Sequence, residues 1–537
     1  VCLDTRTNKI KWQQDDLVGE LGTDKQGIFT LFVDRDNDIW MYSPLGIWVY
    51  NPEQEKWLSW LTNIIKRRSH NMVRAVSQDK QGRIWIGTDQ DGIDILDKKT
   101  GEVRQLRNKA GDERSLQNNT VMVLYEDSSE TMWVGTYKKG ISYFNECAFK
   151  FGAEYIGDIS CIEEDKEGYV WLGTNDVGII YWNSVTGNRA AFPQKGMDKL
   201  TTDAIVCILK ASDGKLWIGT FGGGLICYDN GRIIHYKKNI SERQNSLAHN
   251  NVLALAEDKQ GIIWIGTLGG GVQSLNPKTG LFTTYNTTSA GLISDYVSSL
   301  CMGKEGSLWI GTAQGLSELD IETKKVVNLE GTKSGKEYFS DQNISQVYED
   351  SRGLIWIGTC EGLNVYNPKT DELIILGVEQ GVSSPIISGI VEDGNENIWV
   401  TTARGITNVI PAVDLKTGRY IFHSCVYDDK DGLQNSGFNL RSIKKLSSGE
   451  ILMGGLYGIN RFRPDDIKYN KKRPSVMFTR LFLFNEEVGV GEEYEGRVIL
   501  DKVLNKVDQI KLSYEQNMFS VQFASDNYIL PEKTEYA

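Results

Sequence analysis

Short runs of apolar residues at alternating positions, each closed by a turn carrying aspartate or glycine, follow one another down this chain. Four runs are nearly identical: DKQGRIWIGT (79–88), DKEGYVWLGT (165–174), DKQGIIWIGT (258–267) and DSRGLIWIGT (350–359). Weaker copies centre on Trp40, Trp133, Trp217, Trp309, Trp399 and Leu452, and successive centres lie 38 to 53 residues apart. A spacing in the forties, with several short β-type runs per unit and no 3.6-residue periodicity, predicts four-stranded propeller blades. In the unit around Trp264 the strands are NNVLALAED, IIWIGT, GVQSLNP and LFTTYN, parted by KQG, LGG and KTG. Aspartate binds nearby backbone N–H groups and glycine accepts positive φ, so D-x-x-G pins the first hairpin. Period-two alternation then puts Trp264 and Gly266 on one face and Ile265 and Thr267 on the other. Both faces are apolar, which suits a blade covered on each side, and these tryptophans read as interblade core.

Ten units exceed one comfortable ring. The shortest gap, 38 residues, precedes Trp171, and the segment AFKFGAEYIGDIS there lacks the long polar loop found elsewhere. The expected fold class is therefore all-β, with one complete seven-bladed propeller ring preceded by part of another and followed by the start of an immunoglobulin-like β-sandwich. The expected boundaries are 1–150 for the last blades of an incomplete first propeller, 151–470 for the seven-bladed second one, and 471–537 for a truncated sandwich. On this reading the chain is an internal fragment, begun partway through a blade and stopped partway through the sandwich.

Composition narrows the function classes. The 537 residues carry 59 Lys+Arg against 71 Asp+Glu, a formal net charge of −12, which disfavours a nucleic-acid partner. No apolar stretch is long enough to span a bilayer. Eight cysteines stand singly and there are four histidines, so neither a metal site nor a cofactor is expected. Cys161, Cys207 and Cys301 sit in apolar runs and read as small buried hydrophobes.

Taken in order, the motifs resemble a family. The D-x-x-G-x-[LIV]-W-[IVL]-G-T copies, the turns Phe221-Gly222-Gly223-Gly224-Leu225 and Glu361-Gly362-Leu363, the pair DGLQNSGFN (431–439) and GGLYGINRFRP (454–464), and the segments 474–485 and 512–537 are similar to two-component-regulator propellers. These are the periplasmic sensor regions of Bacteroides-type hybrid histidine kinases, in which a Tyr-Tyr-Tyr domain follows the propellers. The resemblance implies detection of an oligosaccharide and control of glycan-utilisation genes. It further implies a homodimer and a periplasmic location, as part of an inner-membrane protein held by a transmembrane helix downstream of this chain.

Candidate contacts follow from strand direction. The turn after each WIGT lies at the opposite end of its strand from D-x-x-G and shares a face with the connections between blades. These loops offer Phe221, Glu361, Arg404, Phe438, Asn439, Arg441 and Tyr457 as ligand-binding candidates, with Asn175, Asp176, His249, Asn250, Asp295, Tyr296, Gln314, Asn343 and Leu456 on the same face. Aromatic faces with planar amide and charged groups suit a sugar, and arginine suits a carboxylated or sulfated one. No residue is expected to be catalytic. Two other readings stay open: a propeller glycoside hydrolase, since related D-x-G-x-x-W hairpins occur in sialidases, and a protein-binding scaffold.

Overall fold

The computed structural model describes residues 2–4, 6–7, 9–12, 29–43, 46–68, 72–110, 115–148, 150–183, 186–192, 200, 202, 204–229, 231–239, 245–330, 332–333, 336–337, 339–435, 437–469, 475–527, 529 and 533. The chain divides into two compact units, Val1–Ala148 with Tyr469–Ala537, and Phe149–Lys468. Both are built from antiparallel sheets.

The second unit is a ring of seven four-stranded sheets, here blades 1 to 7. Their innermost strands are Ile159–Glu164, Ile205–Lys210, Val252–Glu257, Val297–Met302, Ile344–Glu349, Ile387–Glu392 and Phe438–Lys445. Each of these lies against the next, and that of blade 7 against that of blade 1, so the ring closes. In blades 1 to 6 the four strands run outward in chain order. Blade 7 instead takes its outermost strand from the start of the unit: Gly152–Tyr155 pairs antiparallel with Gly458–Phe462, Tyr155 opposite Gly458. Gly458 has φ +146°, and a Cβ there would meet Glu154 O at 2.0 Å, so the seam needs glycine at this point. Asn460, fully buried, donates to the carbonyls of Gly152 and Gly432, and Lys150 pairs with Asp431 at 2.7 Å.

The core lies between blades. Trp264 packs with Tyr285, Val297, Leu308 and Ile310, residues of its own blade and the next. Its strand neighbours Ile263 and Ile265 pack instead with Trp217 and Leu225 of the preceding blade and with Val252 of their own. A Cβ on Gly266 would meet Val297 Cγ1 at 2.7 Å, so the small residue beside the tryptophan lets the next innermost strand approach. Burying one such indole removes about 200 Å² from water, worth up to about 5 kcal/mol.

The D-x-x-G turns are clasps. In the Asp258 turn, Oδ1 accepts from the backbone N–H of Gln260 and Ile262 while Oδ2 accepts from Trp264 Nε1 at 2.9 Å. The same indole–carboxylate bond, 2.7–3.0 Å, joins Trp40 to Asp34, Trp85 to Asp79, Trp133 to Asp127, Trp171 to Asp165, Trp356 to Asp350 and Trp399 to Asp393.

The first unit contains four-stranded sheets at 30–57 and 73–106 and a three-stranded sheet at 121–144. One α-helix is found among the described residues, Ser59–Arg68, packed on the strand Gly46–Asn51. No helix there is long and apolar enough to cross a membrane. Toward the C-terminus, Val476–Leu483 is the central strand of a three-stranded sheet with Glu486–Glu487 and Phe519–Ser525.

Candidate functional site

In blades 1 to 6 the innermost strand carries a bulge at its start: the first and third residues pair with the second strand and the residue between them is extra. That extra residue is Ser160, Val206, Leu253, Ser298, Ser345 or Ser388. Hydroxyls here stitch neighbouring strands together: Ser160 donates to the Ile205 carbonyl, Ser298 to Ile344 and Ser345 to Ile387. In blade 7 Ser442 donates to Ile159, closing the same belt.

Blade 7 departs from this pattern. Its register breaks between Phe438 and Ile443, so Asn439, Leu440 and Arg441 occupy the place of one residue. Arg441 has φ +60°, an unusual backbone for a residue with a side chain. Its Nη1 donates to the Ser298 carbonyl at 2.6 Å, with Ser345 O at 3.5 Å, so the guanidinium crosses the ring channel from blade 7 to blades 4 and 5. Burial draws its pKa below the ordinary arginine value, opposed by the nearby Cys207 and Cys161. It stays charged near neutral pH.

The other end of the second strand is anchored as well. In blades 1 to 6 the last threonine of that strand donates its hydroxyl to a glycine carbonyl across the turn, as in Thr220–Gly224 at 2.7 Å and Thr359–Gly362 at 2.8 Å. The next N–H bonds to the connection entering the innermost strand: Asn175 to Asp158 O, Phe221 to Ala204 O, Leu268 to Asn251 O, Ala313 to Tyr296 O and Ala403 to Ile386 O. Turns and connections therefore share one face, at the channel end where the bulges lie.

On this face Phe221 and Tyr457 are 56% and 52% exposed, and Glu361 and Arg404 are exposed on equivalent turns of blades 5 and 6. Phe438 lies elsewhere. It is 5% exposed, packed with Trp399, Tyr427 and Phe462, and as interblade core it offers no face to a ligand. Asn439 is structural, its Nδ2 donating to Asp158 Oδ1 at 2.6 Å and to Ile159 O. Asp158, which the sequence reading did not single out, also accepts from Asn175 Nδ2 at 2.8 Å. Asn250 and Asp295 cap the backbone N–H groups of Lys238 and Thr287, and His249 Nδ1 accepts from Asn251 N. The connections are thus largely self-satisfied, while Phe221, Glu361, Arg404 and Tyr457 point their side chains outward.

A cation site would need converging carboxylates, and Asp34, Asp36 and Asp38 of the first unit provide three within 4.8 Å of one another. An ammonium already sits there: Lys98 Nζ lies 2.6, 2.7 and 2.8 Å from their oxygens. Burial alone would lower the Lys98 pKa, but the three hydrogen bonds outweigh it and raise the value. Beside this cluster a cleft of about 560 Å³ is lined by Trp57, Trp60, Asn51, Gln54, Lys56 and Lys99.

A closed ring of four-stranded blades, a loop-lined face and a charged channel define the class: this is a β-propeller. Seven segments, 68–90, 115–138, 156–176, 199–222, 246–269, 291–314 and 338–361, match the family described as two component regulator propeller, so the chain carries the repeats of that family. The sheets around Trp40, Trp399 and Leu452 extend the architecture beyond those segments. The chain is 26% identical over 336 residues to Histidine kinase P4 of Formosa agariphila, covering 61% of this chain and 24% of that protein. It shares the fold of the extracellular domain of the hybrid two component system BT3049 from B. thetaiotaomicron, with a TM-score of 0.70 and 24% identity over 94% of this chain and 64% of that one. It thus spans about a quarter of the kinase and just under two thirds of the solved domain.

Proposed function

We propose that this chain is the ligand-sensing, extracytoplasmic region of a hybrid histidine kinase. It binds an oligosaccharide in the periplasm and signals through a transmembrane helix downstream of the chain to control glycan-utilisation genes. The observation that carries this reading is the face of the 149–468 ring, where outward-pointing aromatic and charged side chains surround a channel containing Arg441. Pyranose rings offer apolar C–H faces to aromatics and hydroxyls to planar polar groups, so this mixture suits a sugar. The repeats of two-component regulators and the likeness to a histidine kinase support the signalling role. Signal arises if the oligosaccharide binds one arrangement of a homodimer better than another, since only differential affinity shifts a population.

Binding and hydrolysis are separated by experiment. Glycoside hydrolysis ordinarily uses two carboxyl groups facing the scissile bond; Asp158 and Asp295 are occupied in hydrogen bonds to asparagine, threonine and backbone groups, whereas Asp176 and Glu361 stand exposed on their turns. The test is to incubate the chain with a panel of defined oligosaccharides and follow bound and cleaved sugar together by mass spectrometry. Stoichiometric retention of one intact oligosaccharide is expected; turnover would contradict the reading.

A further inference from the structure

Two cations stand three residues apart on the innermost strand of blade 7, and they are treated differently. Lys444 is paired: its Nζ lies 2.8 Å from Glu163 on the innermost strand of blade 1. Burial pushes the Glu163 pKa up and Lys444 holds it down, which leaves it up on balance. Among the described residues Arg441 has only carbonyl oxygens as hydrogen-bond acceptors, and one of its three nitrogens makes those bonds. Carbonyls accept hydrogen bonds but carry no net charge, so this half-buried guanidinium is left without a counter-charge of the kind that Glu163 gives Lys444.

We propose that the mouth of this channel is an oxyanion site built on Arg441. The remaining Nε–H and Nη2–H donors form the planar fork that fits two oxygens of a carboxylate, sulfate or phosphate group. The widened bulge aims that fork into the channel, and the Ser298 carbonyl holds it there. The surrounding belt of Ser160, Ser298 and Ser345 already spends its hydroxyl protons on neighbouring strands, so it supports the arginine without competing for the anion. Arg441 shares its channel end with the turns bearing Phe221, Glu361, Arg404 and Tyr457. An acidic substituent can therefore enter the mouth while the rest of a saccharide lies across the face. This deepens the oligosaccharide reading and rests on it only for the saccharide part.

The test uses the whole chain and its Arg441→Met and Arg441→Lys variants. Calorimetric titrations with sodium sulfate, a sulfated disaccharide, a uronic-acid disaccharide and a neutral disaccharide are run at matched ionic strength in chloride. Sulfate and at least one acidic disaccharide are expected to bind the native chain about tenfold or more tightly than the Met variant, with Lys between them. Selenate soaked into crystals of the native chain gives a reading that needs no variant, with its anomalous peak expected within hydrogen-bond distance of Nε and Nη2. Sulfate bound at Arg441 with no saccharide bound would keep this site and remove the oligosaccharide reading. Saccharide binding unchanged in Arg441→Met, or a selenate peak only elsewhere, would overturn the site and leave the oligosaccharide reading standing.

Discussion

Blades 2 and 3 are neighbours with the same strand order and the same IWIGT or LWIGT strand, yet their first turns are held differently. Asp258 clasps Trp264 in blade 3. In blade 2 the equivalent position is Ala211, and Trp217 Nε1 is buried with no hydrogen-bond partner among the described residues. Both indoles are nonetheless 1% exposed. The Ala211 turn survives because Gly214 N still bonds to Ala211 O, Asp213 accepts from Lys215 N, and Ser212 binds Glu257 through both its N–H and hydroxyl. Burial therefore places the tryptophan, and the aspartate pins the turn and satisfies the ring nitrogen. Both residues are committed to the turn and the core, so the most repeated residues of the chain are scaffold, and the proposed ligand chemistry belongs at the other end of each blade.

This contrast can be broken most severely in the first unit, where the clasp also holds an ammonium. Lys98→Met leaves buried Asp34 and Asp38 without their cation and is expected to cost about 3–5 kcal/mol, read as an earlier unfolding transition in denaturant. In the native chain the same ammonium ties stability to pH through Asp36. The Lys98 hydrogen bond lowers its pKa, so its contribution is present above the unfolded value and fades as pH falls through the folded one.

Asp258→Ala removes three acceptor contacts and strands the Trp264 nitrogen, with an expected cost of about 3 kcal/mol in the same measurement. Exchanging the indoles sharpens the contrast. Trp264→Phe should cost about 1–2 kcal/mol more than Trp217→Phe, because only Trp264 gives up a hydrogen bond to a carboxylate. The smallest effect is a gain: Ala211→Asp supplies the missing acceptor and should stabilise the second unit by about 1 kcal/mol, seen as a small rise in its thermal midpoint.

Much of the fold was legible because blade geometry is written locally. Each D-x-x-G-x-x-W run specifies a turn, two faces and a strand within ten residues, and the structure returns those faces as read: Trp264 with Gly266 toward blade 4, Ile265 toward blade 2. Features that depend on distant pairing were not legible. AFKFGAEY marks a missing loop, but its role as the fourth strand of blade 7 depends on partners some 300 positions later. Phe438 reads as a connection residue because it follows the turn-rich DGLQNSG; it is instead the first residue of the innermost strand, a position buried in every blade, and its ring lies in the core. The widened bulge turns Arg441 from a surface candidate into a channel residue. Two extra residues in one strand were the only local signal, and they became readable once the other six strands supplied the standard.

The central claim is this division of labour along each blade. Its most direct test is hydrogen exchange on the native chain, with and without the oligosaccharide retained in the mass-spectrometric screen. The account predicts new protection in the turns and connections around Phe221, Glu361, Arg404 and Tyr457 and in the strand bearing Arg441. Protection centred instead on the D-x-x-G turns around Asp165, Asp258 and Asp350 would contradict it.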